Sequence, residues 1–184
     1  MPISSLPDEC FNIILFFLDN NKTLYKCLFI NRYYCKFTIP LIWREPFIRI
    51  PRYYSIVNNS LINTLVSCLN EDEISSLIPC AINFNNDQTP LFEYGNFVRK
   101  FCHDSCVSHV IAWLGKSSQD LRVQKLVNVI YHMIMRQGAN LQEFYIEKFR
   151  MVYFYTDLPK FSIFTTYEPG ITNLRKLKIS FNED

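Results

Sequence analysis

The chain has 184 residues, 49% of them apolar and 20% charged, with a formal net charge of +2. That length suits one ordinary domain or two small ones and can bury a core without disulfide staples. A near-balanced charge with no basic run longer than a pair argues against a nucleic-acid face, and the absence of GxGxxG and GxxxxGK[ST] removes the common phosphate cradles. The seven cysteines, at 10, 27, 35, 68, 80, 102 and 106, are odd in number and scattered. No secretory leader pattern is present, and no stretch approaches the roughly 18 apolar residues of a membrane span. The expectation is a reduced intracellular protein whose cysteines act as small hydrophobes.

The opening LPDECFNIILFFL predicts a helix. Pro7 suits the first helical position, and Asp8 and Glu9 favour the positive end of the helix dipole. Leu6, Cys10, Ile14, Phe17 and Leu18 share one face, with Phe11 and Leu15 on a second stripe beside it. A helix this apolar around its circumference is buried on more than one side. DNNK at 19–22 breaks it. TLYKCLFI then predicts a second helix capped by Thr23 or Asn21, with Leu24, Cys27 and Leu28 on one face. NRYYCKF is a short third helix or a continuation, stopped at Pro40 and followed by the large Trp43. EPFIRIP, with Pro46 and Pro51, is a connector.

Further along, the spacing of Val57, Leu61, Leu65, Cys68 and Leu69 predicts a helix over 54–69. Asn70 and Glu73 have capping-box spacing, so a short helix starts there and stops near Pro79. Residues 90–102 read as moderately helical, and VSHVIAWL at 107–114 fits helix or strand. LRVQKLVNVIYHMIMRQG is the clearest helix of the second half, with Gly138 as its C-terminal cap. The aromatic run MVYFYTD at 151–157 suits an edge strand.

Two later segments match each other: Leu141-x-x-Phe144-x-Ile146 and Leu174-x-x-Leu177-x-Ile179. This is the LxxLxL strand core of a leucine-rich repeat, and the second copy reaches Asn182, where the repeat places asparagine. The copies stand 33 residues apart, longer than the usual repeat of roughly 20–29 residues. An array left unfinished at its last strand would expose an apolar edge at Leu174, Leu177 and Ile179.

The first 47 residues resemble an F-box. The pattern appears as Leu6, Pro7 and Glu9, then Ile14, Leu15 and Leu18, then Leu24, Cys27 and Leu28. Ile30, Asn31, Arg32 and Tyr34 follow, and Pro40, Leu41 and Trp43 close it. INRYYC…IPLIWREPF is similar to a group of fungal F-box proteins with irregular leucine-rich repeats behind the box. Cys10 replaces the usual Ile or Leu, and Tyr34 stands where Trp is common. The resemblance implies a three-helix F-box at 1–47, an irregular helical region at 48–138 and a partial leucine-rich-repeat-like region at 139–184. The expected fold class is mostly α with a minor β part (α+β).

The resemblance also implies a role. An F-box docks a Skp-type adaptor, and through it a cullin, in a ubiquitin ligase of the cytoplasm or nucleus. The region behind it recruits a protein substrate for ubiquitination and proteasomal degradation. The expected adaptor face comprises Leu6, Pro7, Ile14, Leu18, Leu24, Leu28, Ile30 and Trp43. A box of three short helices cannot hide all its large apolar side chains, and Phe11 and Leu15 are expected to be among those left exposed. No catalytic residue, cofactor, metal, nucleic acid or membrane is expected. One alternative is a repeat scaffold that does not engage a ligase. Another is a zinc or thiol site on Cys102, Cys106 and His109, with His103 near and His132 as a distant fourth ligand.

Overall fold

The computed structural model describes residues 7–18, 21–47, 59–82, 89–117, 119–148, 160 and 162–181. Leu6 and the 151–157 run lie outside them. The described part is mostly helical, with one small parallel sheet, an α+β arrangement of the expected class.

Three helices open the chain: α1 (Asp8–Phe16), α2 (Asn21–Cys27) and α3 (Arg32–Ile42). Pro7 stands at the N-cap of α1, one position earlier than expected, and its carbonyl accepts the Phe11 N–H at 3.1 Å. Asn21 and Thr23 both fall inside α2. Asn31 caps α3, its side chain accepting from the Tyr34 N–H at 3.0 Å. Pro40 does not stop α3 but sits within its last turn. A proline there forfeits one N–H bond, while the helix still closes through Trp43 N–H to Ile39 O at 2.9 Å.

These helices share a small core of Phe11, Leu15 and Cys27, flanked by Leu18, Tyr33, Tyr34, Phe37 and Leu41. Phe11 meets the rings of Tyr33, Tyr34 and Phe37 at centroid distances of 5.2, 4.8 and 5.5 Å. The Tyr33 hydroxyl donates to Asp8 Oδ1 at 3.0 Å and ties the start of α1 to α3. Phe11 and Leu15 are therefore internal to the unit, not part of an exposed patch as expected. The rings of α3 select the Phe11–Leu15 stripe over the Cys10–Ile14 stripe.

A second, larger core begins at Trp43 and Phe47, which pack away from the small one. It is built by α4 (Asn59–Ser67), α5 (Glu71–Ser75), β1 (Lys100–Cys102), α6 (His103–Leu114), α7 (Leu121–Arg136), β2 (Glu143–Lys148) and α8 (Ser162–Thr166), with β3 (Lys176–Phe181) at its margin. The α7 spacing buries Val123, Leu126, Val127, Ile130, Met133 and Ile134 along the core-facing stripe, and Gly138 follows at φ +83°. The Asn70–Glu73 capping box forms with both bonds at 2.9 Å. Residues 107–114 are helical, within α6.

Residues 90–102 are not helical. A 3₁₀ turn (Tyr94–Phe97) leads into β1. Gly95 is pressed onto α7, its N–H donating to Gln137 Oε1 at 2.7 Å, and a Cβ there would lie 2.9 Å from the Ile134 Cα. Long-range strand pairing then overrides the weak local helical preference.

The sheet has the order β1-β2-β3, all parallel. The two LxxLxL-like copies are neighbours in register, with Phe144 opposite Leu177 and Ile146 opposite Ile179. One motif recurs along the entry to the sheet. The Arg44 carbonyl accepts the N–H groups of Arg99 and Lys100 at 2.9 and 3.0 Å. The Arg99 carbonyl accepts those of Gln142 and Glu143 at 2.7 and 3.1 Å. The Gln142 carbonyl accepts those of Arg175 and Lys176 at 2.8 and 3.1 Å.

Candidate functional site

The three-helix unit presents unusual apolar surface. Its core uses one face of α1 and leaves Ile13, Ile14, Phe16 and Phe17 exposed, with Phe17 at 77%. These positions are neighbours at helical spacing, and the Phe16 and Phe17 rings lie 6.1 Å apart. The end of α2 and the turn after it expose Tyr25, Phe29 and Ile30, with Phe29 at 87%. Scattered surface hydrophobes are ordinary, whereas here several large ones are gathered on a small unit, which makes this face the candidate site. Each Phe or Ile fully buried on contact contributes about 1.5–3 kcal/mol before the cost of association.

The expected adaptor-face residues distribute unevenly. Pro7, Ile14 and Ile30 are exposed, and Leu18 and Leu28 are half-buried. Leu24 is buried at 6% and has little side chain left to offer. Trp43 packs against Tyr94 at a centroid distance of 4.5 Å, so it joins the three-helix unit to the larger core. Leu6 lies outside the described residues. Ile13, Phe16, Phe17, Tyr25 and Phe29 were not among the expected contacts. The signal that could have singled them out is subtractive: once Phe11 and Leu15 pack on the α3 aromatics, the remaining apolar residues of α1 face outward.

The Cys102–His109 segment is internal. Cys102 closes β1, while His103, Cys106 and His109 are buried in α6. His103 Nδ1 lies 3.0 Å from the Tyr131 hydroxyl, and His109 Nδ1 donates to the Ser105 carbonyl at 2.7 Å. Burial pushes the Cys106 thiol well above its ordinary range, and Cys102 adds to the shift. A thiol so disfavoured as thiolate is a poor nucleophile. His132 is on α7 beside Tyr167. Among the described residues no group of three or more His, Cys, Asp or Glu side chains is placed to hold a metal ion.

A second surface runs along the entry to the sheet. Lys100 lies 3.8 Å from Glu45 and 3.3 Å from Glu143, and Lys176 lies 3.9 Å from Glu143 on its other side. Glu45, Lys100, Glu143 and Lys176 thus alternate in sign, one per rung. The Tyr145 hydroxyl donates to Glu143, and the Lys176 ammonium sits 5.3 Å from the Tyr145 ring centroid. These groups hold the Glu143 carboxyl below its usual range, the Tyr145 hydrogen bond foremost and Lys100 and Lys176 behind it.

No protein-family model, curated protein or solved structure is significantly similar to this chain. Among the described residues no helix is long and apolar enough to cross a membrane.

Proposed function

We propose that this chain is a non-catalytic substrate-receptor subunit of a Skp–cullin–F-box ubiquitin ligase. In this reading α1–α3 dock a Skp-type adaptor, and the larger unit behind them presents a protein client for ubiquitination and proteasomal degradation. The cytoplasm or nucleus is where such a complex works. The observation that carries the reading is the outward face of α1 and the end of α2. Ile13, Ile14, Phe16, Phe17, Phe29 and Ile30 lie exposed within the segment that resembles an F-box. The small unit has its own aromatic core, so its outer apolar residues are not needed to hold it together.

The division of labour follows from the packing. Trp43 and the Arg44 carbonyl fix the end of α3 to the 3₁₀ turn and to β1. A client held on the larger unit would therefore be carried in a defined relation to whatever α1–α3 bind. The transfer chemistry belongs to the partners. The test is capture of the full chain by an immobilised, purified Skp-type adaptor, with Ile14→Asp/Phe17→Asp as the disrupted form. Capture of the parent chain and loss in the folded double variant supports the reading. A folded parent chain that the adaptor does not capture overturns it.

A further inference from the structure

Two arginines meet where the three-helix unit joins the larger core. Arg44 follows α3, and its carbonyl accepts the N–H groups of Arg99 and Lys100 at 2.9 and 3.0 Å. Arg99 links the 3₁₀ turn to β1, and its Nη1 donates to the Asn96 and Val98 carbonyls at 2.6 and 2.9 Å. Both side chains are half-buried. Among the described residues neither guanidinium has a carboxylate partner. Glu45, the next residue after Arg44, pairs with Lys100, and Glu143 is shared by Lys100 and Lys176. In sequence, the stretch 48–58 adds two more arginines and no acid.

Such an arrangement costs free energy in two ways. Arg44 Nε is buried with no hydrogen-bond partner among the described residues, and an unpaired buried donor on a charged group is more costly than a neutral one. The two charges also oppose each other. Burial lowers the pKa of the Arg99 guanidinium below its ordinary value, and the Arg44 charge lowers it further. An anion shared by both groups removes both costs. We propose that Arg44 and Arg99 together bind a tetrahedral oxyanion of the phosphate class at the joint between the two cores.

The charge and shape of the ligand follow from the two groups. A carboxylate fills one guanidinium fork and neutralises one charge. A phosphate dianion offers oxygens to both forks and neutralises the pair. Bound there, it ties the residue after Trp43 to the turn that opens the sheet, beside the Trp43–Tyr94 ring contact at 4.5 Å. The anion thus fastens the three-helix unit to the larger one. The proposal rests on this joint alone and makes no use of the outward face of α1.

The test is the melting temperature of the full chain against inorganic phosphate, with sodium chloride holding the ionic strength constant. Phosphate stabilises any protein slightly by exclusion from its surface, an effect that rises steadily with concentration. A bound anion adds a rise that saturates, about 3–6 °C at ten times its dissociation constant. Arg44→Gln and Arg99→Gln should each abolish the saturating part and keep the steady one. Lys116→Gln, which removes an exposed cation on the end of α6, should keep both. Phenyl phosphate distinguishes the sources of the group. Stabilisation by both compounds supports a site open to a phosphate ester on a larger molecule, and stabilisation by inorganic phosphate alone supports an enclosed free ion. A parent chain with no saturating rise overturns the proposal, as does a saturating rise that both arginine variants retain. Should neither variant fold, the parent curve decides alone: saturation supports the site and a straight line overturns it.

Discussion

Phe11 of α1 packs edge-on against Tyr34 of α3, ring centroids 4.8 Å apart, while Ile13 and Ile14 a half-turn on point away from both. This contact decides which side of α1 is core and which is surface. Phe11→Ala removes a ring that is 1% exposed and should cost about 3 kcal/mol, enough to loosen the three-helix unit. Phe17→Ala, at a site 77% exposed, should stay within about 0.5 kcal/mol. Thermal denaturation of the two variants checks the assignment, and a Phe17→Ala loss as large as that of Phe11→Ala would reject it.

Glu73 serves two structures at once. Its carboxylate closes the α5 capping box and accepts a bidentate pair from Arg136, with Nε and Nη2 bonds of 2.9 Å each. Arg136 Nη2 also donates to the Cys68 carbonyl at 3.1 Å. Glu73→Ala removes the cap and the ion pair together and should destabilise by about 2–3 kcal/mol. Glu73→Gln keeps an oxygen for the Asn70 N–H and should lose about half as much. Chemical denaturation separates the two, and equal losses would mean that the capping bond to the Asn70 N–H contributes nothing beyond the ion pair.

Asp120 sets a pH dependence of known sign. The side chain and backbone N–H of Arg122 hold its carboxyl at about 2, below the ordinary value of 3.8. The folded-state value is depressed, so the contribution is complete above the unfolded-state value and fades as pH falls through about 2. Asp120→Asn keeps a capping side chain but cannot titrate. The gap in melting temperature between parent and variant should therefore shrink between about pH 4 and about pH 2. A constant gap would contradict the assignment.

Gly95 is fixed by space. A methyl group there would meet Gln137 Oε1 at 2.7 Å and the Ile134 Cα at 2.9 Å. The glutamine side chain can swing aside, but the α7 backbone cannot. Gly95→Ala should cost about 1–3 kcal/mol by prising the 3₁₀ turn from α7, read as a lower melting temperature. An unchanged melting temperature would show that the turn adjusts freely.

Much of this architecture was legible in the sequence where short-range signals suffice. The α7 stripe, its Gly138 cap and the Asn70–Glu73 box all follow from spacing within a few residues. The β2 and β3 pairing could be anticipated because both copies carry apolar residues at all three repeat positions. The β1 strand could not, since Val98-x-x-Phe101-x-His103 ends on a histidine and the strand is only three residues long. Its partners are the Arg44 carbonyl and β2, both far along the chain. The outward face of α1 was obscured for a similar reason. Both of its stripes are apolar, and the aromatics that choose between them belong to α3. Trp43 shows the converse, because nothing nearby reveals that its ring belongs to Tyr94.

The central claim is that α1 and the end of α2 carry a docking face for a Skp-type adaptor. Its most direct test is calorimetric titration of the full chain with the purified adaptor, for the parent and for Ile14→Asp/Phe17→Asp. Both substituted residues are exposed, so the melting temperature of the double variant should match that of the parent. Saturable binding by the parent and none by the folded double variant is the predicted result. No binding by the folded parent, or equal binding by both, would contradict the claim.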